Sequence, residues 1–224
     1  MAISNHHPHY AKHSDDRGDY QLVFRKQVFQ LLKWGYDRLD PLQYQHSQEE
    51  DITGDLASEI DEIVQDRSYP SWVGRYSVHE EKPITKSDRK GKKRQRLDIE
   101  IERIRHGRRP RYPFEAKRLC ANTHATIGAY LGTEGLGEFL SGNYASEENE
   151  AGMLGYVQSD TPEIWSEKAL DKFRSNPGMV QTCTGGIWSD TSVLPDLDYC
   201  YRSHHQRITI GNPITVYHLF LTFC

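Results

Sequence analysis

Residues 96–104, RLDIEIERI, alternate without a break. Leu97, Ile99 and Ile101 fall on one side, and Asp98, Glu100 and Glu102 on the other. A period of two describes a strand with one face in the core and one face carrying charge. HGRRP (106–110) has turn residues, and YPFEAKRL follows with Tyr112, Phe114 and Ala116 on one face and Glu115, Lys117 and Leu119 on the other. A hairpin closing near Gly107–Arg108 sets Ile101 against Phe114 and Ile99 against Ala116. On the opposite face it sets Glu100 against Glu115 and Asp98 against Lys117. A one-residue slip would destroy both matches. The expected product is a sheet face that gathers Asp98, Glu100, Glu115 and Lys117.

Such a face belongs to a rather polar globular chain, with 36% hydrophobic and 27% charged residues in 224. No stretch approaches the run of about 18 apolar residues that spans a bilayer. The opening MAISNHHPHYAKHSDD lacks the apolar centre of a secretory signal. Cys120, Cys183, Cys200 and Cys224 are scattered, with no Cys-x-x-Cys. That argues against a disulfide framework or a zinc site and for a reducing cytoplasm. The formal net charge of −4 hides an asymmetry. Residues 82–118 hold fifteen Lys/Arg against five Asp/Glu, while the rest holds thirteen against twenty-seven. A basic segment in an acidic protein suggests a local anionic partner, with nucleic-acid phosphates the usual one. The alternative is a solvated basic loop.

Residues 1–19 read as a loose, His-rich arm, and 20–224 as a single domain. His6, His7, His9 and His13 have no Cys or carboxylate to complete a metal site. YQLVFRKQVFQLLKWGY (20–36) places Val23, Phe24, Val28, Leu31 and Leu32 at helical spacing. In QEEDITGDLASEIDEIV, Ile52, Leu56, Ile60 and Ile63 form an apolar stripe. Glu49 lies three before Ile52 and seven before Leu56, so it projects from the buried face, with Glu50 rotated away by about 100°. An inward carboxylate there suits the helix N-terminus or a cleft. Residues 66–96 look irregular, with Trp72 and Tyr76 as anchors. AGMLGYVQ (151–158) reads as a core strand and DTPEIWSEKALDKF (160–173) as a helix bearing Ile164, Trp165, Ala169, Leu170 and Phe173. Two strands follow around a Gly-Asn-Pro turn.

Several carboxylates this close repel one another unless a cation intervenes. Oxygen-only ligands suit Mg²⁺, which binds through one or two carboxylates plus waters and substrate phosphate. A neighbouring lysine can position or help deprotonate a water, or steady charge on a phosphate. The residues LDIEI and FEAK resemble the PD-(D/E)xK nuclease superfamily, which has the restriction-endonuclease-like fold. The likeness covers roughly residues 48–160. It implies an α/β fold, a central mixed β-sheet flanked by helices. It implies Asp98, Glu115 and Lys117 as catalytic residues with Glu49 of EEDIT as a helix acid. Asp98, Glu115 and the Ala116 carbonyl would face Mg²⁺, for which Mn²⁺ can substitute. Leu97 stands where the motif has proline. Spacing leaves Asp98 and Glu100 both as candidates; the family's order favours Asp98. The three-residue pattern itself is weak, because Glu80-x-Lys82 and Asp88-x-Lys90 also satisfy it. An ordinary charged sheet, with cross-strand pairs contributing about 0.2–1 kcal/mol each, is the competing account.

The expected function is a metal-dependent nuclease, an endonuclease rather than an exonuclease, acting on DNA and by analogy in restriction or phage defence. The alternative is a nucleic-acid-binding subunit of a larger assembly whose cleavage is absent or partner-gated. A homodimer suits cutting of both strands. Lys92, Lys93, Arg94, Arg96 and Arg118 are the expected phosphate contacts, joined by Ser203, His205 and Arg207, which share a strand face. His218 reads as a satisfied core histidine. The glycines of 128–142 match no phosphate-loop motif; they read as a loop and short helix allowing close approach to DNA or the sheet. Tyr130 and Tyr144 read as packing residues or cleft lining. No Gly-x-Ser-x-Gly or His-Glu-x-x-His is present.

Overall fold

The computed structural model describes residues 16–83, 96–104, 109–121, 123–182 and 188–224. Most of the His-rich arm, the Gly107–Arg108 turn and Lys92, Lys93 and Arg94 lie outside them.

The fold is α/β, one seven-stranded mixed sheet between two helical layers. The chain order is α1 (Asp16–Arg38), α2 (Glu49–Gln65), β1 (Tyr76–Pro83), β2 (Arg96–Arg103), β3 (Arg111–Leu119), α3 (Ile127–Tyr130), α4 (Leu136–Ser141), β4 (Glu150–Val157), α5 (Pro162–Ser175), β5 (Ser189–Asp190), β6 (Cys200–Gln206) and β7 (Pro213–Thr222). The sheet order is β1-β2-β3-β4-β7-β6-β5. β3, β4 and β7 run parallel, and every other pairing is antiparallel. Central parallel strands are covered on both faces and so carry apolar residues without alternation. Every residue of β4 after Glu150 is buried.

Alternation along the central strands divides the core in two. One cluster joins α1 and α2 to Ile99, Ile101, Phe114, Ala116, Leu154, Tyr156 and Leu219. The other joins α3, α4 and α5 to Leu119, Met153, Val157, Val216 and Phe220. α1 enters the first through Phe24, Val28, Phe29, Leu31 and Leu32, whereas Val23, expected inside, is exposed. α2 buries its four-residue stripe as read. α5 buries Trp165, Ala169 and Phe173 and leaves Ile164 outside. Leu97 packs in the second cluster rather than with Ile99 and Ile101.

Two corrections concern β1 to β3. Residues 76–83, read as irregular, form an edge strand. Glu81 there adopts a left-handed φ of 46°, which interrupts the alternation that would have marked it. The β2–β3 register is also shifted by two residues from the one expected. Ile99 pairs with Phe114 and Ile101 with Tyr112. The hairpin closes where the Arg103 amide donates to Pro110 O at 2.9 Å. A shift of two keeps every side chain on its face, so apolar matching cannot separate the registers. Among the described residues no helix is long and apolar enough to cross a membrane.

Candidate active site

The β2–β3 ladder ends at Ile99–Phe114, and beyond it the two strands separate. Peptide groups alternate sides along a strand, so Ala116 and Arg118 of β3 point into this fork, as Phe114 does toward β2. Unpaired amides inside a protein need acceptors. Carboxylates supply both. The Ala116 amide donates to Asp98 Oδ2 at 2.7 Å and the Arg118 amide to Glu49 Oε2 at 3.0 Å. The fork thus draws an acid from β2 and another from the first turn of α2 to the same stretch of β3.

Lys117 occupies the middle. Its Nζ donates to Glu49 Oε1 at 2.9 Å, to Glu115 Oε1 at 2.8 Å and to Ala116 O at 2.7 Å. An ammonium has three N–H donors, and these acceptors engage all of them. The four expected residues, Glu49, Asp98, Glu115 and Lys117, are therefore brought together from three elements. Glu50 is exposed on the far side of its helix turn. Glu100 is drawn away toward Arg111, at 3.8 Å. With the register shifted, Asp98 serves the Ala116 amide rather than lying opposite Lys117.

Burial shapes the electrostatics. It pushes the Asp98 carboxyl up to about 6, with the Lys117 charge and the Ala116 amide offsetting part of the effect. It pushes Glu115 well above the ordinary carboxylate range, and the neighbouring charge of Asp98 adds to that. Burial would depress Lys117, but Glu115, Glu49 and Asp98 more than reverse it, so the lysine is held as a cation. Glu115 Oε2 is buried with no hydrogen-bond partner. An orphan carboxylate oxygen facing another acid is a position at which a hard cation would relieve both desolvation and repulsion. No three His, Cys, Asp or Glu side chains among the described residues converge as a ready ligand group. Mg²⁺ needs only one or two carboxylates beside waters and phosphate, so Asp98 and Glu115 fit it, with the Ala116 carbonyl turned into the same fork.

The remaining expected contacts fare differently. Arg96 is exposed and pairs with Glu81, and its carbonyl accepts from Tyr144 Oη at 2.6 Å. Arg118 is half-buried and donates from Nη1 to Ser47 O at 3.2 Å. Ser203, His205 and Arg207 do share a face, but it is an interior one, and all three have zero exposure. They are corrected from phosphate contacts to core residues, because the second helical layer packs over that face. The Arg207 guanidinium donates to the carbonyls of Ala145, Glu148 and Asn212.

Ser203 and the two histidines form a chain whose proton positions can be assigned from its end. Val180 O only accepts, so His205 Nδ1 donates to it at 2.6 Å. His205 Nε2 then accepts from Ser203 O–H at 2.7 Å, and Ser203 accepts from His218 Nε2–H at 2.7 Å. His218 Nδ1 accepts from Tyr130 O–H at 3.0 Å. Both imidazoles are neutral, and burial depresses His205 to about 4 and His218 well below its ordinary value. His218 is the core histidine its sequence context suggested.

Among the glycines after β3, Gly135 sits at a close approach of the chain. A Cβ on Gly135 would collide with the carbonyls of Tyr130 and Ala129, so the turn closes on itself. Tyr144 packs its ring on Phe139 at 5.8 Å.

Comparison with protein-family models, curated proteins and solved structures gave no match.

Proposed function

We propose that this chain is a Mg²⁺-dependent nuclease acting on DNA in the cytoplasm. The observation that carries the reading is the fork itself. It assembles Glu49, Asp98, Glu115 and Lys117 from distant segments and leaves one buried Glu115 oxygen unpartnered. An ordinary charged sheet face has no need to bury acids beside one another; exposed pairs would contribute as much with less desolvation. Asp98 and Glu115 would hold the cation, with Ala116 O as a further oxygen. Bound there, Mg²⁺ would supply Lewis-acid polarisation of a phosphoryl oxygen and a lowered pKa for a water. The acidic neighbours of Lys117 favour its cationic form. Its charge orients the attacking water or offsets negative charge building on the phosphate. Glu49 fixes that charge in place.

The basic segment adds to the reading. β1 leads into it and β2 leads out, with Pro83 paired to Arg96 two residues before Asp98. The described residues on either side of 84–95, within which most of KSDRKGKKRQR falls, are thus paired with each other close to Asp98. Nucleic-acid affinity should fall steeply with salt. The alternative, a partner-gated binding subunit, rests on Lys117 having all three donors engaged, so that one contact must be exchanged before it can meet a substrate.

Incubation of supercoiled plasmid with Mg²⁺, Mn²⁺ or EDTA tests the reading. Wild type is expected to nick and linearise it only with metal, and Lys117→Ala and Asp98→Ala to lose at least about 100-fold in rate, the scale of one preorganised electrostatic group. Intact plasmid with either metal would sink the autonomous DNase.

A further inference from the structure

The charges of the fork do not by themselves hold Glu49 where it sits. Glu49 faces Lys117 but also the acids around it. Its backbone belongs to another layer of the fold, at the first turn of α2. Something must hold that turn against the C-terminal end of β3. The side chains that do so come from β4 and the residue after it, on the side facing the helix. Tyr156 Oη and Thr53 Oγ1 share a buried hydrogen bond of 3.0 Å. Gln158, 7% exposed, donates from Nε2 to Tyr44 O at 2.7 Å and to Ser47 O at 2.9 Å. Its backbone amide donates to Leu119 O at 2.9 Å, extending the β3–β4 ladder by one residue. One residue is thereby bonded to the strand that carries Lys117 and to the turn that carries Glu49. Ser47 lies two residues before Glu49, and Arg118 adds a second donor to the same Ser47 carbonyl.

We infer that Gln158 is a positioning residue for this site, setting how far Glu49 reaches toward Lys117 and the Arg118 amide. The activity part of this inference rests on the nuclease reading above; the geometric part does not. Both Nε2 hydrogens are engaged by carbonyls of the turn that leads into α2. Loss of the donor leaves Ser47 O with Arg118 Nη1 alone and Tyr44 O with the Ser47 amide alone, which loosens the 44–48 turn while α2 stays anchored by its apolar stripe. A displacement of about 1 Å at a site of this kind is enough to reduce turnover about 100-fold.

Gln158→Met keeps the length and removes the donor. Two measurements on the full chain follow it. Amide hydrogen exchange is expected to accelerate at Arg118 by at least about tenfold while Ile99 and Leu154 exchange as in wild type, a local opening rather than a global one. Plasmid cleavage is expected to lose about 100-fold in kcat with DNA affinity unchanged by fluorescence anisotropy. Should the methionine variant not fold, Gln158→Asn, which keeps the donor on a shorter arm, must show the same selective acceleration at Arg118. Unchanged exchange at Arg118, or acceleration spread evenly over β3 and β4, overturns the inference. If wild type does not cleave DNA, the nuclease reading falls on its own, and the exchange result still decides whether Gln158 holds the turn.

Discussion

Asp98 is ionised at neutral pH against the pull of its surroundings. Burial raises its carboxyl to about 6, whereas in the unfolded chain an aspartate titrates near 3.9. Between those values the folded protein binds more protons than the unfolded one, so this group adds stability as pH falls through 6 and subtracts it above. Two units correspond to a penalty of up to about 3 kcal/mol at pH 7.5. Asp98→Asn keeps an oxygen for the Ala116 amide and removes the charge. It should therefore be more stable than wild type in urea at pH 7.5, with the gain shrinking as pH falls from 6 to 4. The same variant should lack metal-dependent cleavage. A residue that lowers stability where it sits is what a functional group looks like, and equal stability at pH 7.5 would remove that argument.

At the scale of elements, the site depends on β3 lying close against β4. Gly152 permits this: a Cβ there would run into the ring of Phe114, its partner across the parallel ladder and the neighbour of Glu115. Gly152→Ala forces that ring, already packed on Phe29 and Tyr112, out of its place. Overpacking of this kind costs about 1–3 kcal/mol, and the midpoint of urea denaturation should fall accordingly, with cleavage reduced because β3 moves. These elements were only partly legible in the sequence. The 3.6-residue stripe gave α2 and correctly turned Glu49 inward and Glu50 outward, because a helix fixes the angle between successive side chains. The hairpin was read on the right faces except at Leu97, which packs in the other cluster, and two residues out of register. β1 was lost because an edge strand with a left-handed residue at Glu81 has no pattern to show.

At the scale of the molecule, one sheet carries two cores, and the Tyr130–His218–Ser203–His205 chain ties α3, β6, β7 and the segment after α5 into the second. Both imidazoles stay neutral in the fold, His205 down to about 4, while in the unfolded chain they protonate near 6.5. Below 6.5 the unfolded state binds more protons, so this contribution is complete above that pH and is lost progressively as pH falls toward 4. Urea melts of wild type and His218→Phe between pH 7.5 and 4.5 test this. The variant should lose less stability than wild type across the window, and parallel curves would mean that the histidine does not titrate as assigned.

The sequence by itself determined most of the parity of its strands and helices. It gave the shared face of Ile99, Ile101, Phe114 and Ala116, though not that of Leu97, and the buried stripe of α2. It also put Asp98, Glu115 and Lys117 on two neighbouring strands. Those follow from backbone periodicity, which is local. Spacing left Asp98 and Glu100 both open, with Asp98 preferred through the resemblance. Tertiary structure takes Asp98 into the fork by a different register, since registers two residues apart satisfy the same pattern. It alone decided that the Ser203–His205–Arg207 face lies inside, since an alternating strand does not show which of its faces a helix will cover. It alone gave Gln158 its partners, because a side chain that bonds backbone carbonyls more than a hundred residues away leaves no periodic trace.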